Sequence, residues 1–456
     1  MRLSKNRIIL TVLFVLFLIL NGFLVIVHEP WRDEVHAWLI TRQMSIPEMI
    51  VFSRQETHPI LWNLVLFPFA KLGAPIWTMN LVSYLCIAVS AWLFVFKTKV
   101  HDIAKILILF TVPFVYTFSS IARNYCLVIL LGMIICVLYG KRYEKPLIYS
   151  ICISLLVFTH ALAWGFVAGL TVTFHMKEIV MKIAGKSSLD KNRFGKVLAG
   201  FILIALSSVT VVMTLIGSGN KGLFTGDDQY TDRVIISTIV LMVLGLVLLL
   251  IGKGRIWKEF VPLCTTYIFM IVVYKLVYSG LYYQRLILIP AFMLFFTVTV
   301  FAENKDLKKL ETAGIYVLFA LSILVNGSLV QTFNSASDDI LYNYSSAKEM
   351  ADYINANLPD EDVILVDSGV YAQTIVPYTD KTLYDVRYEA NITDSLYHVN
   401  DTDEIVAKLM EMSGHEEYKG KYIIMVYKFK ETKLEKIYST SDSVMGETYT
   451  LYRIPE

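Results

Sequence analysis

Charged side chains are scarce in this chain: they make up 18% of its 456 residues, whereas a soluble globular protein carries about 25%. Hydrophobic residues make up 56%, and the mean hydropathy is +0.57. So little charge excludes an ordinary soluble protein and indicates that much of the surface faces lipid. The net charge of +2 gives no reason to expect nucleic acid as a partner.

Cysteine is rare as well, and the five Cys residues have neither the pattern of a disulfide framework nor the spacing of a metal site. All five lie in or beside apolar runs, where thiols pack as small hydrophobic groups. The first apolar run, 8–27, is longer than the core of a signal peptide and has no small-residue cleavage site. We therefore expect it to be an uncleaved first membrane span.

Long apolar runs predict a polytopic α-helical membrane protein, because about 20 such residues cross a bilayer as a helix. Eleven spans are predicted, at 8–27, 75–96, 103–121, 125–140, 146–159, 162–176, 197–216, 234–252, 260–278, 286–302 and 312–331. An alternative joins the short runs 146–159 and 162–176 into one broken span.

The distribution of Lys and Arg predicts the orientation, because short cytoplasmic loops are rich in both. With a cytoplasmic N-terminus, the inner segments hold 21 Lys and Arg and the outer segments hold 9. Joining 146–176 into one span would place the basic segment 177–196 outside, so two spans are retained. An odd number of spans then places residues 333–456 outside the membrane, on the extracytoplasmic side.

Residues 1–332 are predicted to form a transmembrane domain, and residues 333–456 a small extracytoplasmic α/β domain. The C-terminal part holds 11 Lys and Arg against 23 Asp and Glu, a net charge of −12, and the remainder is +14. Such a large difference in net charge indicates that the two parts are separate domains with different surroundings. Helices are predicted at 346–357 and 405–412, and strands at 362–367, 421–427 and 447–454.

The first outer loop, 28–74, is far longer than a connection between two helices needs. It is predicted to hold juxtamembrane helices, one over Asp33–Gln43 and another beginning at Pro47. The apolar stretch Pro59–Leu72 is too short to span a bilayer and is typical of an interfacial or re-entrant segment.

Ionisable groups close to a membrane core are expensive and usually serve a function. Asp33 and Glu34, with Arg32 and His36 beside them, follow the first span directly. Asp33 fits two interpretations. It is either the N-cap of the following helix or a general base, since a partly desolvated carboxylate can take a proton near neutral pH.

His58 precedes Pro59, where a helix is expected to begin, and anions are favoured at helix N-termini. It fits either an ordinary interface flank or a phosphate contact. Together with Glu56 and Asp33 it also offers ligands for a divalent cation such as Mg²⁺ or Mn²⁺, and metal dependence stays open.

The remaining candidates lie at predicted outer turns: Arg123, Tyr125, His160, Lys275, Tyr283 and Arg285. The cations are candidates for binding a phosphate. The aromatic rings fit either an interfacial belt or a sugar platform, and His160 fits either an interface histidine or a substrate contact. Because all these turns are predicted on the outer face, we expect one outward-facing site.

Two of these motifs resemble the GT-C membrane glycosyltransferases, in particular the protein O-mannosyltransferase and lipid A aminoarabinose transferase group. They are Asp-Glu-Val-His-Ala-Trp at 33–38 and His-Pro-Ile-Leu-Trp at 58–62. Arg123-Asn124-Tyr125 resembles an Arg-x-Tyr turn of many bacterial members, and Gln284-Arg285 followed by Pro290 resembles a later segment. The resemblance covers about residues 1–330, and Ile60 stands where a second Pro is common.

The resemblance implies an enzyme of a bacterial-type inner membrane. It would transfer a sugar, with inversion, from a polyprenyl-phosphate donor to a glycan, lipid or protein acceptor of the cell envelope. Asp33 would be the general base, and Glu34 would orient the acceptor or Arg32. The departing phosphate would be bound by His58, Arg123, Arg285 and Lys275. Some members use a divalent metal and others do not.

Two other functions stay open. A transporter or lipid flippase places ionisable residues and broken helices near mid-membrane, often in two matching halves. Here those residues lie at predicted outer turns, and no repeated half is visible. The second alternative is a non-catalytic scaffold whose outer domain binds a partner.

Overall fold

The computed structural model describes residues 5–56, 58–215, 228–276, 288–304, 306–325, 336–359, 363–366, 369–386, 390–392, 418–426 and 434–456. These residues are mainly helical and include one small sheet near the C-terminus. The predicted class, a mainly helical chain with a small C-terminal α/β part, is confirmed. The predicted helix at 405–412 lies outside the described residues.

The chain divides into two compact units. The first unit consists of Met1–Val25, Ile46–Val65 and Leu81–Phe333. The second unit consists of Ile26–Ser45, Leu66–Asn80 and Asn334–Glu456. Two segments of the first outer loop therefore belong to the same unit as the C-terminal segment, whereas the sequence had placed them with the transmembrane part.

Helices occupy every apolar run in which a span was predicted. They are Lys5–Val27, Thr78–Lys97, Asp102–Leu109, Phe118–Ser120, Tyr125–Tyr139, Pro146–Val157, Trp164–Leu170, Lys191–Leu215, Asp228–Ile251, Trp257–Leu276, Leu288–Glu303 and Lys309–Val325. The helix Lys177–Ile183 lies outside the predicted spans, in the basic segment 177–196. Short 3₁₀ or π turns interrupt this series at Pro113–Thr117, Ala161–Ala163 and Thr171–Met176. Pro146–Val157 and Trp164–Leu170 are separate helices, and the choice between two spans and one broken span stays a prediction.

Three described helices are long and apolar enough to cross a membrane: Asn6–Val27, Thr78–Lys97 and Lys191–Thr214. A fourth is added if Asp102–Leu109 and Pro113–Ser120, which meet at a bend of 61°, form one broken span. Four shorter apolar helices of 10 to 17 residues are also found among the described residues: Tyr125–Tyr139, Pro146–Val157, Thr238–Ile251 and Leu288–Glu303. The count of eleven spans stays a prediction.

The helix Leu288–Glu303 lies in the core of the first unit, and its residues are buried without a break from Leu288 to Val300. A helix that is hydrophobic on all sides is expected in such a position. Glycines let neighbouring helices approach closely. Gly132 lies under the ring of Phe295, and Gly169 lies against Pro262.

Three further helices follow the first span: Arg32–Gln43, Ile46–Glu56 and Leu61–Lys71. The first begins one residue earlier than predicted, and Trp31 is its N-cap residue. The N-cap interpretation of Asp33 is therefore wrong. Glu34, at the third helical position, accepts a hydrogen bond of 3.2 Å from the Trp31 N–H and closes the helix start instead.

The second unit contains one mixed sheet, to which the described chain contributes six strands. They are β1 (Ile364–Val366), β2 (Leu383–Asp385), β3 (Ala390–Asn391), β4 (Tyr422–Met425), β5 (Glu435–Ser439) and β6 (Thr450–Arg453). Their order is β3-β2-β1-β4-β6-β5, with β1 parallel to both β2 and β4. Strands β3 and β6 are antiparallel to their neighbours.

Both faces of the sheet are covered, because side chains alternate along each strand. Ile364 and Val366 of β1 join the cluster that contains the helix Ala347–Asn357. Leu365, between them, joins the opposite cluster with Ile423 of β4. An unbroken apolar strand buried on both faces is typical of a parallel pair.

Candidate active site

Arg32 and Asp33 form an ion pair at the start of the helix Arg32–Gln43. The Arg32 Nε lies 3.4 Å from the Asp33 Oδ1, and the two side chains are 27% and 34% exposed. A carboxylate in the first helical turn is stabilised by the helix dipole. Asp33 is thus partly accessible to solvent and lies beside a cation.

Glu34, the neighbouring acid, has a different environment. Its side chain is fully buried, and its Oε2 lies 2.9 Å from the His28 Nε2. The same oxygen accepts the Trp31 N–H. The two adjacent carboxylates therefore have different environments: Asp33 is half-buried and accessible to solvent, whereas Glu34 is fully buried.

His28 bridges Glu34 to the C-terminal segment of the second unit. Its Nδ1 lies 2.8 Å from the Asp339 Oδ2, and its ring lies 4.5 Å from that of Tyr344, centroid to centroid. Burial alone would lower the pKa of His28, but the carboxylates of Glu34 and Asp339 outweigh burial and raise it to about 10. The imidazolium donates one hydrogen bond to each carboxylate.

Two residues of the C-terminal segment, Glu447 and Tyr371, hold Arg32 in place. Its backbone N–H donates to both carboxylate oxygens of Glu447, at 3.0 and 3.3 Å, and its guanidinium lies 4.9 Å from the ring centre of Tyr371. Burial raises the pKa of Glu447 to about 7. For Arg32, burial lowers the pKa, but Asp33, Tyr371 and Glu447 together raise it above its usual value.

His36 lies one turn further along the same helix face. Its Nδ1 lies 3.0 Å from the Oε1 of Gln373, and its side chain is half-buried. Arg32, Asp33 and His36 are thus three predicted candidates that the second unit holds close together.

The first unit brings together three other candidates from separate turns of the chain. The ring of His160 lies 5.7 Å from that of His58, edge to face, and 5.3 Å from that of Tyr125. The backbone supports this group, because Leu61 N–H donates to the Phe158 carbonyl oxygen at 3.2 Å. Three candidates from separate turns thus lie close together, and the single outward-facing site expected for all the candidates stays a prediction.

The tautomer of His160 follows from its hydrogen bonds. Its Nδ1 accepts from the Leu162 N–H at 3.0 Å and caps the short helix Ala161–Ala163. A neutral imidazole has one donor and one acceptor, so the proton of neutral His160 is on Nε2. Asn124 holds the same turn by donating to the Thr159 carbonyl oxygen at 2.8 Å.

Arg123 lies half-buried in the turn just before the helix Tyr125–Tyr139. Tyr283 and Arg285 lie outside the described residues. For Lys275 only the backbone is described, within the helix Trp257–Leu276. The roles predicted for these three residues stay predictions.

The donor set for a metal is incomplete in the described part of the chain. No group of three His, Cys, Asp or Glu side chains there is arranged to hold an ion. The ligand set proposed from the sequence included Glu56, whose side chain is not among those described. No chemical step is therefore assigned to a metal.

Five residues of the second unit surround the segment Arg32–His36 and were not predicted from the sequence. Four of them contact the segment, namely His28, Tyr371, Gln373 and Glu447, and the fifth, Asp339, contacts His28. His28 had a local signal, because it follows the first span directly. The other four lie more than 300 residues away along the chain, and no local pattern links them to the segment.

No protein-family model and no curated protein sequence matches the chain. Solved structures that are similar to it include the following two. The crystal structure of ArnT from Cupriavidus metallidurans bound to undecaprenyl phosphate has a TM-score of 0.46 and 12% identity, over 97% of each chain. The cryo-EM structure of arabinofuranosyltransferase AftD from Mycobacteria has a TM-score of 0.42 and 11% identity, over 100% of this chain and 40% of that chain.

Proposed function

We propose that this chain is an inverting glycosyltransferase of the extracytoplasmic membrane face. Its donor is a sugar linked to a polyprenyl phosphate, and its acceptor is a cell-envelope glycan, lipid or protein. The motifs at 33–38 and 58–62, which resemble those of GT-C enzymes, support the class of reaction.

The observation that carries the proposal is the contrast between Asp33 and Glu34. Glu34 is enclosed between His28 and the helix start, whereas Asp33 is accessible and paired with Arg32. A general base must reach the proton that it removes. Of the two acids, only the environment of Asp33 suits that role.

In the proposed reaction, the Asp33 carboxylate accepts the proton of the acceptor hydroxyl group. The acceptor oxygen forms a bond to the anomeric carbon from the face opposite the leaving group. The bond from that carbon to the phosphate oxygen breaks, and polyprenyl phosphate leaves with the electron pair. The proton then passes from Asp33 to solvent, which restores the base.

The departing phosphate needs cations and hydrogen-bond donors, because charge develops on its oxygen as the bond breaks. In the proposal, Arg123 supplies a cation and His58 supplies a donor. His160 is fixed with its donor on Nε2 by the Leu162 N–H, and it binds the phosphate or the sugar. Arg285 and Lys275 are further cations in the proposal.

The test uses the purified full-length protein in lipid nanodiscs with a panel of polyprenyl-phosphate sugars and a mixed envelope extract as acceptor. We expect free polyprenyl phosphate to appear together with a new glycosidic product for at least one donor. Labelled sugar that enters sealed vesicles without any such product would contradict the proposal and would favour a transporter.

A further inference from the structure

The segment that carries Asp33 is built into the second unit by residues of the C-terminal segment Asn334–Glu456. Its backbone is held at Arg32 by the Glu447 carboxylate. Lys348 N–H donates to the Glu29 Oε1 at 2.8 Å. His36, at the far end of the segment, meets Gln373. The start of this helix thus takes its geometry from chain that follows more than 300 residues later.

The side chain of Arg32 is placed by an aromatic ring. Its guanidinium lies 4.9 Å from the ring centre of Tyr371 and 5.7 Å from that of Trp31. Arginine over an aromatic face is attracted by the ring quadrupole, more strongly when the pair is partly desolvated. With its backbone on Glu447 and its guanidinium on Tyr371, Arg32 is restricted to the position from which it contacts Asp33.

The opposite side of the helix start is fixed by a buried ionic bridge. Glu34, His28 and Asp339 form a fully enclosed chain of two hydrogen bonds of 2.9 and 2.8 Å. Buried charges in such an arrangement are costly to separate. The bridge therefore prevents the helix start from rotating about its axis, and the direction of the Asp33 side chain is fixed with it.

We propose that the C-terminal segment positions the catalytic base through Arg32, with Tyr371 and Glu447 as positioning residues. This inference rests on the proposed role of Asp33. Tyr371 holds the guanidinium, Glu447 holds the Arg32 backbone, and Arg32 holds and electrostatically favours the ionised carboxylate of Asp33. The C-terminal segment thus contributes to catalysis by positioning Asp33.

The electrostatic environment of Arg32 includes three other groups that titrate: Asp33, Tyr371 and Glu447. Loss of the Tyr371 ring frees the guanidinium, so the Asp33 carboxylate loses part of a favourable field. An adjacent opposite charge shifts a carboxyl titration by about 1 to 3 pH units. We expect the acid limb of the kcat/KM profile of Tyr371→Leu to move up by about 1 pH unit.

The experiment compares the pH profiles of polyprenyl-phosphate release for the full-length wild-type, Tyr371→Leu and Tyr371→Phe proteins, with the donor that the panel identifies. Tyr371→Leu is expected to lower kcat about 10- to 100-fold, because misplaced groups reduce rates by such factors, and to shift the acid limb. Tyr371→Phe keeps the ring and is expected to restore the wild-type profile.

Two further variants make the test specific. Tyr353→Leu removes another ring of the second unit, which stacks on Tyr438 at 3.8 Å, and it should leave the acid limb unmoved. Glu447→Gln keeps an oxygen for the Arg32 N–H but no longer titrates. If its acid limb disappears, the limb belongs to Glu447 and the inference is overturned.

The inference also fails if Tyr371→Leu slows the reaction equally at every pH, since that result would show a merely structural role. Failure of the proposed function has a different signature. If Asp33→Asn retains wild-type turnover, or if no donor of the panel is used, the catalytic role of Asp33 is lost whatever the Tyr371 variants do.

Discussion

The Nε2 of His28 lies 2.9 Å from the Oε2 of Glu34, and both side chains are fully enclosed. This pair shows why two adjacent acids of similar intrinsic acidity need not share a role. Glu34 is paired with the buried His28, whereas Asp33, in the same helical turn, is partly exposed and paired with Arg32. The environment of each acid decides which of the two can exchange a proton with a substrate.

Asp339→Ala is expected to destabilise the second unit by about 3 to 5 kcal/mol, because it leaves one side of a buried charge unpaired. Asp339→Asn keeps a hydrogen-bond acceptor and should have a smaller effect. The free energy is measured from native-state hydrogen exchange of strands β4 and β6 in the full-length protein. Asp338→Asn is the matched control, and an effect as large as that of Asp339→Ala would contradict the account.

The stability of the second unit is expected to fall as the pH rises from about 5 to 10. Burial raises the pKa values of Glu29 and Glu447 to about 7. The folded state is therefore destabilised as the pH rises from the usual pKa of a carboxyl group to about 7, because each group must lose its proton while buried. His28 has a pKa raised to about 10, so its contribution is complete below pH 6.5 and is lost towards pH 10.

The His28 part of this pH dependence can be isolated. Hydrogen exchange of β4, corrected for its intrinsic pH dependence, gives the stability at each pH. In His28→Gln the fall between pH 7 and 10 should flatten, while the fall between pH 5 and 7 remains. A variant that keeps the full wild-type slope above pH 7 would show that His28 is not the group responsible.

Close packing in the first unit predicts a strong effect at Gly169. A Cβ there would meet the backbone of Pro262, which cannot move aside as a flexible side chain can. Gly169→Ala should lower the melting temperature of the purified protein and cost about 1 to 3 kcal/mol, as overpacking usually does. Gly195→Ala is the control, since a Cβ at Gly195 meets no atom within 4 Å. Equal melting temperatures for the two variants would refute this.

His160→Asn separates the cap of the short helix from the imidazole. Asn is a good N-cap residue, so the fold should be kept while a donor to the proposed phosphate is lost. A hydrogen bond to a charged group contributes about 1.5 to 3 kcal/mol, and we expect the donor KM to rise at least about tenfold.

His101→Asn is the matched control for His160→Asn. His101 also caps a helix, Asp102–Leu109, by accepting the Ile103 N–H at 3.3 Å, and it is exposed. Its replacement should leave the donor KM unchanged. A similar rise in KM for both variants would assign the effect to capping.

The sequence predicted helices where apolar periodicity is long. Arg32–Gln43 and Ala347–Asn357 were each placed within one residue at both ends. Strands of two or three residues, such as β2 and β3, are too short to show an alternating pattern. They form only because β1 offers a hydrogen-bonding edge to β2, and β2 offers one to β3.

The candidate site was predictable only in part, for a similar reason. Asp33 and His58 stood out because they flank predicted helix starts beside a membrane span. Asp339 and Glu447 were not visible, since 311 residues separate Asp339 from His28 and 415 separate Glu447 from Arg32. Such contacts are made by tertiary packing, which leaves no trace in local composition.

The most direct test of the catalytic role of Asp33 is the rate of polyprenyl-phosphate release by Asp33→Asn, measured beside Asp352→Asn. Asp352 is an exposed surface acid that pairs with Lys348 in the same unit. Asp33→Asn is expected to lower kcat by about 10²- to 10⁴-fold, the usual contribution of a general base, with unchanged membrane insertion. Asp352→Asn is expected to retain the wild-type rate. Wild-type turnover by Asp33→Asn would contradict the catalytic role of Asp33.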